Sequence, residues 1–156
     1  MKIYRLETVQ KLPITIEQAW DFFSNPQNLK EITPPFMGFD ILSGAAEKMY
    51  PGQIIQYRVT PLAQVPMKWV TEITHVEEGK YFVDEQRFGP YALWHHKHFF
   101  TPLKKGVEMK DCIDYKLPFG WLGQWVHPIL VRPRLETIFE YRKKILTERF
   151  GHYGNT

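Results

Sequence analysis

Apolar and polar residues alternate along most of this chain, and the period lengthens only near its two ends. Lys2 to Leu12 places Ile3, Leu6 and Val9 among polar neighbours and stops at Pro13, which predicts a strand. Thr15 is a predicted N-cap, with Gln18 three residues on and Ala19, Trp20, Phe22 and Phe23 forming the apolar side of a short helix. Asn25-Pro26 closes it, Pro26 can open a second short helix carrying Leu29 and Ile32, and Pro34-Pro35 ends that one. Six strands are predicted next, at Phe36 to Leu42, Gln53 to Thr60, Met67 to Val76, Tyr81 to Phe88, Tyr91 to Phe100 and Val107 to Leu117. Turn signals at Pro51-Gly52, Glu78-Gly79, Gly89-Pro90 and Lys104 to Gly106 keep the connections short, so the sheet is expected to be antiparallel. After Pro118-Phe119-Gly120, Leu135, Ile138, Phe139, Arg142, Ile145, Leu146 and Phe150 recur at helical spacing, with Pro133 in the first turn and Gly151 as the stop. One long helix cannot fill a wide curved sheet, which predicts an α+β sandwich with a hollow between its layers.

Composition narrows the function classes. The 156 residues suit one domain, 1–156, and aromatics reach 15%, a bias that fits either a cavity lining or a large core. Net charge is +3, but the basic clusters Lys104-Lys105 and Arg142-Lys143-Lys144 fall on a turn and a helix, so nucleic acid is not an expected partner. The single cysteine, Cys112, forms no internal disulfide and fits a reducing cytoplasm. Met1 to Gln10 lacks the apolar run of a signal peptide, and no stretch is apolar enough for stable membrane insertion.

Candidate chemistry lies where polar groups interrupt apolar faces. Read at a period of two, Trp94, His96, His98 and Phe100 share a face. In the last strand Val107, Met109, Asp111, Ile113, Tyr115 and Leu117 share the inner one. If Phe100 pairs with Val107, His98 faces Met109 and His96 faces Asp111. Three readings stay open for that pair: a satisfied buried hydrogen bond, a polar anchor for a ligand, or a metal or acid–base site. For a metal, the third ligand would have to be Asp111 or His95, and His95 points to the other face. In Asp84-Glu85-Gln86 the preceding turn favours Asp84 and Gln86 inward, with Gln86 as a neutral hydrogen-bonding partner and solvent exposure as the alternative. Arg142, within the apolar stripe of the long helix, either snorkels outward or reaches Asp111 or an acidic ligand. Trp121 and Trp125 either latch over one end of the cavity or pack ordinarily.

Several of these residues also carry a family likeness: Pro13, Ala19-Trp20, Phe22-Phe23, Asn28-Leu29, Thr33-Pro34-Pro35, Phe82, Asp84, Gln86 and Gly89-Pro90. The W-x-H-x-H-x-F run from Trp94 to Phe100, Asp111, Tyr115 through Gly120, and Phe139-Tyr141-Arg142 complete it. On these the chain resembles the START-like (SRPBCC) superfamily of polyketide cyclases, birch-pollen-allergen-like proteins and lipid-transfer domains, and in particular its small bacterial single-domain members. The resemblance implies a helix-grip fold, a seven-stranded antiparallel sheet around a C-terminal helix with a deep hydrophobic cavity. Since that superfamily holds both carriers and enzymes, two functions lead, with an interaction module acting through exposed Trp121 and Trp125 as a third that a packed core without a cavity would favour. The first is binding of a small hydrophobic molecule, a lipid, polyketide-like or aromatic metabolite. Tyr57, Trp69, Trp94, Tyr115 and Phe139 would form walls, and Gln86, His96, His98, Asp111 and Arg142 would orient a polar end. The second is a cyclase or dehydratase in which His96 acts as general base, Asp111 holds its tautomer, and Arg142 or Tyr115 steadies an enolate. Binding without catalysis is the leading expectation, with no cofactor, no metal, a monomer or homodimer, and a cytoplasmic location.

Overall fold

In the computed structural model, which describes residues 2–46, 48–60 and 65–154, seven strands form one antiparallel sheet. They are β1 (Tyr4–Leu12), β2 (Asp40–Ser43), β3 (Gln53–Val59), β4 (Met67–Glu77), β5 (Tyr81–Phe88), β6 (Leu93–Leu103) and β7 (Gly106–Lys116), in the order β1-β7-β6-β5-β4-β3-β2. Helix α1 (Ile16–Phe23) follows β1, and the C-terminal rod is α2 (Gly120–Val126), a π-helical turn (His127–Val131) and α3 (Arg132–Phe150). This is the helix-grip architecture. No helix among the described residues is long and apolar enough to cross a membrane.

Local signals account for most of these boundaries. Thr15 accepts from the Gln18 amide while the Gln18 side chain accepts from the Thr15 amide, the reciprocal box that starts α1. That helix buries Ala19, Trp20, Phe22 and Phe23 against Phe82, Phe100 and the fully buried Leu146 of α3. Each of the large side chains among them contributes roughly 1.5–3 kcal/mol by leaving water. On α3 the buried residues are Leu135, Phe139, Arg142 and Leu146, the inner part of the stripe read from the sequence.

Three expectations are corrected. The strand expected from Phe36 begins only at Asp40, because Pro35–Met37 makes a 3-10 turn that Gly38 leaves in the left-handed region. The second short helix is a 3-10 turn, Pro26–Lys30. The register of β6 on β7 is shifted by two residues: Pro102 faces Val107, Phe100 faces Met109 and His98, not His96, faces Asp111. The strands run on to Leu103 and Gly106, leaving only Lys104 and Lys105 between them. Pro102 is tolerated there because β5 pairs with β6 only as far as Phe99, so no ladder bond is lost on that side.

The core is divided. One cluster lies beneath α1, a second joins Trp94, Ile113 and Tyr115 to Val131, Leu135 and Phe139, and a third is Ile55, Tyr57, Val59 and Ile73. Between them, a hollow of about 190 Å³ separates the sheet from α3.

Candidate functional site

Strand pairing builds the polar end of this hollow. Asp84 of β5 lies directly across from His96 of β6, and His98 of β6 directly across from Asp111 of β7. Because residues two apart share a face, all four project to the side of α3. There they close a ring of alternating carboxylates and imidazoles. Asp111 Oδ1 is 2.9 Å from His96 Nε2 and 2.8 Å from His98 Nδ1. Asp84 Oδ2 is 2.7 Å from His98 Nε2 and 3.5 Å from His96 Nδ1. The two imidazoles lie 3.7 Å apart between centroids, tilted by 37°, and His98 stacks on Phe82. From α3, Arg142 brings Nη1 to 3.6 Å from Asp111 Oδ1, with its guanidinium over the Phe139 ring. Its Nε and Nη1 are buried with no hydrogen-bond partner among the described residues.

The electrostatics follow from this ring. Burial alone would raise both carboxyls, but His96, His98 and Arg142 outweigh it for Asp84, and the two imidazole hydrogen bonds with Arg142 outweigh it for Asp111. Both stay ionised, well below the usual carboxylate range. Burial lowers His98 too, but hydrogen bonds to Asp111 and Asp84 more than offset it and the imidazolium is favoured. For His96, burial and the neighbouring His98 prevail over the carboxylates and hold it neutral. Two anions, Asp84 and Asp111, thus balance two cations, His98 and Arg142. A neutral His96 donates from Nε2 to Asp111 and keeps its lone pair on Nδ1.

Of the residues expected at the site, Tyr57, Trp69, Trp94 and Phe139 line the hollow, as do His96, His98 and Arg142. Three do not. Gln86 has the expected parity, but its side chain folds back to receive the Tyr91 amide and donate to the Tyr91 carbonyl across the Gly89-Pro90 turn. A Cβ on Gly89 would come within 2.4 Å of Gln86 Oε1, so a side chain there would push the Gln86 amide off Tyr91. Tyr115 is buried, with its hydroxyl 2.7 Å from His127 Nε2 and its pKa raised to about 12 by burial. Asp111 lies behind the hollow, in a separate polar cleft between β1 and α3 that Phe139 and Arg142 also border.

Arg142 reaches Asp111 and does not snorkel outward. Trp121 and Trp125 are neither latch nor packing: they are 71% and 74% exposed and neither lines the hollow. His95 points outward as read, toward Glu85. The residue missing from the sequence reading of the site is Asp84. Its signal was its parity with the buried Phe82 and its place one hairpin away from the imidazoles. His127, stacked on Tyr4 at 3.5 Å, gave no signal because its π-helical turn has no readable period.

No family model matches the sequence, and no curated protein matches it. The fold does match solved structures. A protein of Chromobacterium violaceum aligns with a TM-score of 0.71 at 12% identity, over 94% of this chain and 97% of that one. The Ara h 8.0201 structure, of a birch-pollen-allergen-like protein, aligns with a TM-score of 0.58 at 13% identity, over 94% and 99%. A nucleoside-diphosphate sugar epimerase from Corynebacterium glutamicum aligns with a TM-score of 0.67 at 23% identity, over 92% of this chain but 28% of the epimerase. The chain therefore shares its helix-grip fold with these structures, the fold that its sequence resemblance to the START-like superfamily implies.

Proposed function

We propose that this chain binds a small, mostly apolar molecule carrying one oxygen-bearing polar end. The observation that carries this reading is the asymmetry of the hollow: aromatic and aliphatic walls converge on a single charged floor of Asp84, His96, His98 and Arg142. Apolar walls with a few converging polar groups are the ordinary make-up of a ligand site. An apolar cavity of about 150 Å³ holds benzene, so about 190 Å³ suits a one- or two-ring aromatic or a short chain. Each Å² of apolar ligand surface buried would contribute about 25 cal/mol. A ligand carboxylate or ketone would meet the Arg142 guanidinium.

The test is native mass spectrometry of the purified chain, followed by thermal shift with naphthoate-like and medium-chain carboxylates. A bound adduct or a ligand-dependent rise in Tm is expected. Ile138→Trp, which fills the hollow from α3, should remove it while the circular dichroism spectrum is unchanged. Absence of both adduct and shift in the parent chain rejects the reading.

A second reading rests on the neutral His96 oriented by Asp111, the arrangement of a general base in a cyclase or dehydratase. Catalysis predicts that His96→Ala abolishes turnover while ligand affinity is largely kept. A fall in affinity with no turnover found for any substrate rejects it.

A further inference from the structure

The ring of carboxylates and imidazoles has a direction. Both imidazoles turn one nitrogen, His96 Nε2 and His98 Nδ1, to the same oxygen of Asp111. Their other nitrogens, His96 Nδ1 and His98 Nε2, turn to Asp84. Asp84, His96 and His98 line the hollow, whereas Asp111 lies behind them. One donor atom from each of Asp84, His96 and His98 can be chosen so that all three lie within 4.8 Å of one another.

We propose that Asp84, His96 and His98 bind one divalent transition-metal ion, with Asp111 as the outer carboxylate that orients both imidazoles and a free coordination position facing the hollow. The donor set is two imidazole nitrogens and one carboxylate, which zinc(II) and iron(II) both accept. Three protein ligands with a vacant position characterise a reactive metal site, since closed structural sites use four. Metal-bound histidines almost always give their second nitrogen to a carboxylate or carbonyl, and here one carboxylate serves both rings.

The spacing is close to what an ion needs. Ligand bonds of about 2.0–2.2 Å in a tetrahedron hold donor atoms roughly 3.4 Å apart. The Asp84–His96 separation of 3.5 Å already meets this. The Asp84–His98 hydrogen bond of 2.7 Å must open by roughly 0.7 Å, within the reach of a side-chain rotation. The ion would displace the His98 Nε2 proton to solvent, so the two ring carboxylates would then face the ion's double charge and the Arg142 guanidinium, a net charge of one positive in place of zero. All three ligands stand on paired strands, so the frame is rigid before the ion arrives. This site does not depend on an apolar molecule filling the hollow.

The full chain, stripped with a chelator, would be titrated with zinc(II) and cobalt(II), and with iron(II) under anaerobic conditions. One equivalent per chain is expected, and cobalt(II) should show the visible bands of a four- or five-coordinate nitrogen–oxygen site. His98→Gln and Asp84→Asn should each weaken binding by about 100-fold, and Asp111→Asn by about 10- to 100-fold. His95→Ala, which removes an outward imidazole, should leave affinity and spectrum unchanged. Uptake well below one equivalent by the parent chain, six-coordinate aqueous-type cobalt bands, or loss with His95→Ala but not His98→Gln would overturn the proposal. Should a site variant fail to fold, the parent chain's stoichiometry and cobalt spectrum decide alone. Failure here with an intact ligand-induced Tm shift would leave the apolar binding reading standing.

Discussion

Two regions of this molecule break the rule that apolar residues go inside and polar residues outside, in opposite senses. Beneath α3, the Asp111 carboxylate, two imidazoles and a guanidinium are buried together, with the half-buried Asp84 closing the group. Along α2 and the following turn, Phe119, Trp121, Trp125 and Ile129 stand 71–81% exposed. The buried group is almost fully cross-linked, each ring member facing two others at 3.5 Å or less. The exposed group makes little contact to defend, and Phe119 even adopts a left-handed backbone, φ 64°, that a non-glycine residue finds costly. Removing a member should therefore be severe in the first region and nearly silent in the second.

The largest effect is expected at Asp111. Asp111→Asn leaves the His98 imidazolium and the Arg142 guanidinium buried without their shared counter-charge, which should cost about 3–5 kcal/mol in urea denaturation. A loss under 1 kcal/mol would mean that the ring is no more than a solvated surface network. An intermediate effect is expected from pH, in metal-free protein at constant ionic strength. His98 is held above its ordinary value of 6.5, so its contribution is complete below that pH and is lost as pH rises through its folded value. His96 is held below 6.5, so in acid the unfolded chain takes up a proton that the fold resists, and stability falls. Asp84 and Asp111, held below 3.8, contribute fully above that pH and lose it as pH drops through their folded values. Stability should therefore peak near pH 6.5, and His98→Gln should remove the alkaline flank and also weaken the acid one, because His98 helps hold His96 and both carboxyls below their ordinary values. A curve level from about pH 5 to about pH 8 would contradict the assignment. The smallest effect belongs to the exposed helix: the pair Trp121→Gln and Trp125→Gln should change stability by no more than about 0.5 kcal/mol each. A loss of 2 kcal/mol would show that α2 is packed and would erase the contrast.

Much of this was legible from residue order. The period of two located β5 to the residue, the Thr15–Gln18 box located α1, and the stripe on α3 located its buried side, because each signal is local. What was not legible was set by distant partners. The β6–β7 register depended on where β5 stopped pairing, which decides whether Pro102 can lie in a strand. Inward parity was read correctly for both Asp84 and Gln86, yet the Gly89-Pro90 turn claimed Gln86 and left only Asp84 in the site. Arg142 could have gone either way, and the pull of Asp111 across the sheet decided it.

Parity has one more consequence. Were β6 to slide by a single position against its neighbours, Lys97 would point beneath the rod in place of the imidazoles, and an ammonium would replace two aromatic proton donors. His96 and His98 would then be stranded on the outer surface, and Asp84 and Asp111 would have one ammonium in place of two imidazoles with four ring nitrogens. The side chains that give the hollow its polar end are thus in place only in the one register that pairs Asp84 with His96 and His98 with Asp111.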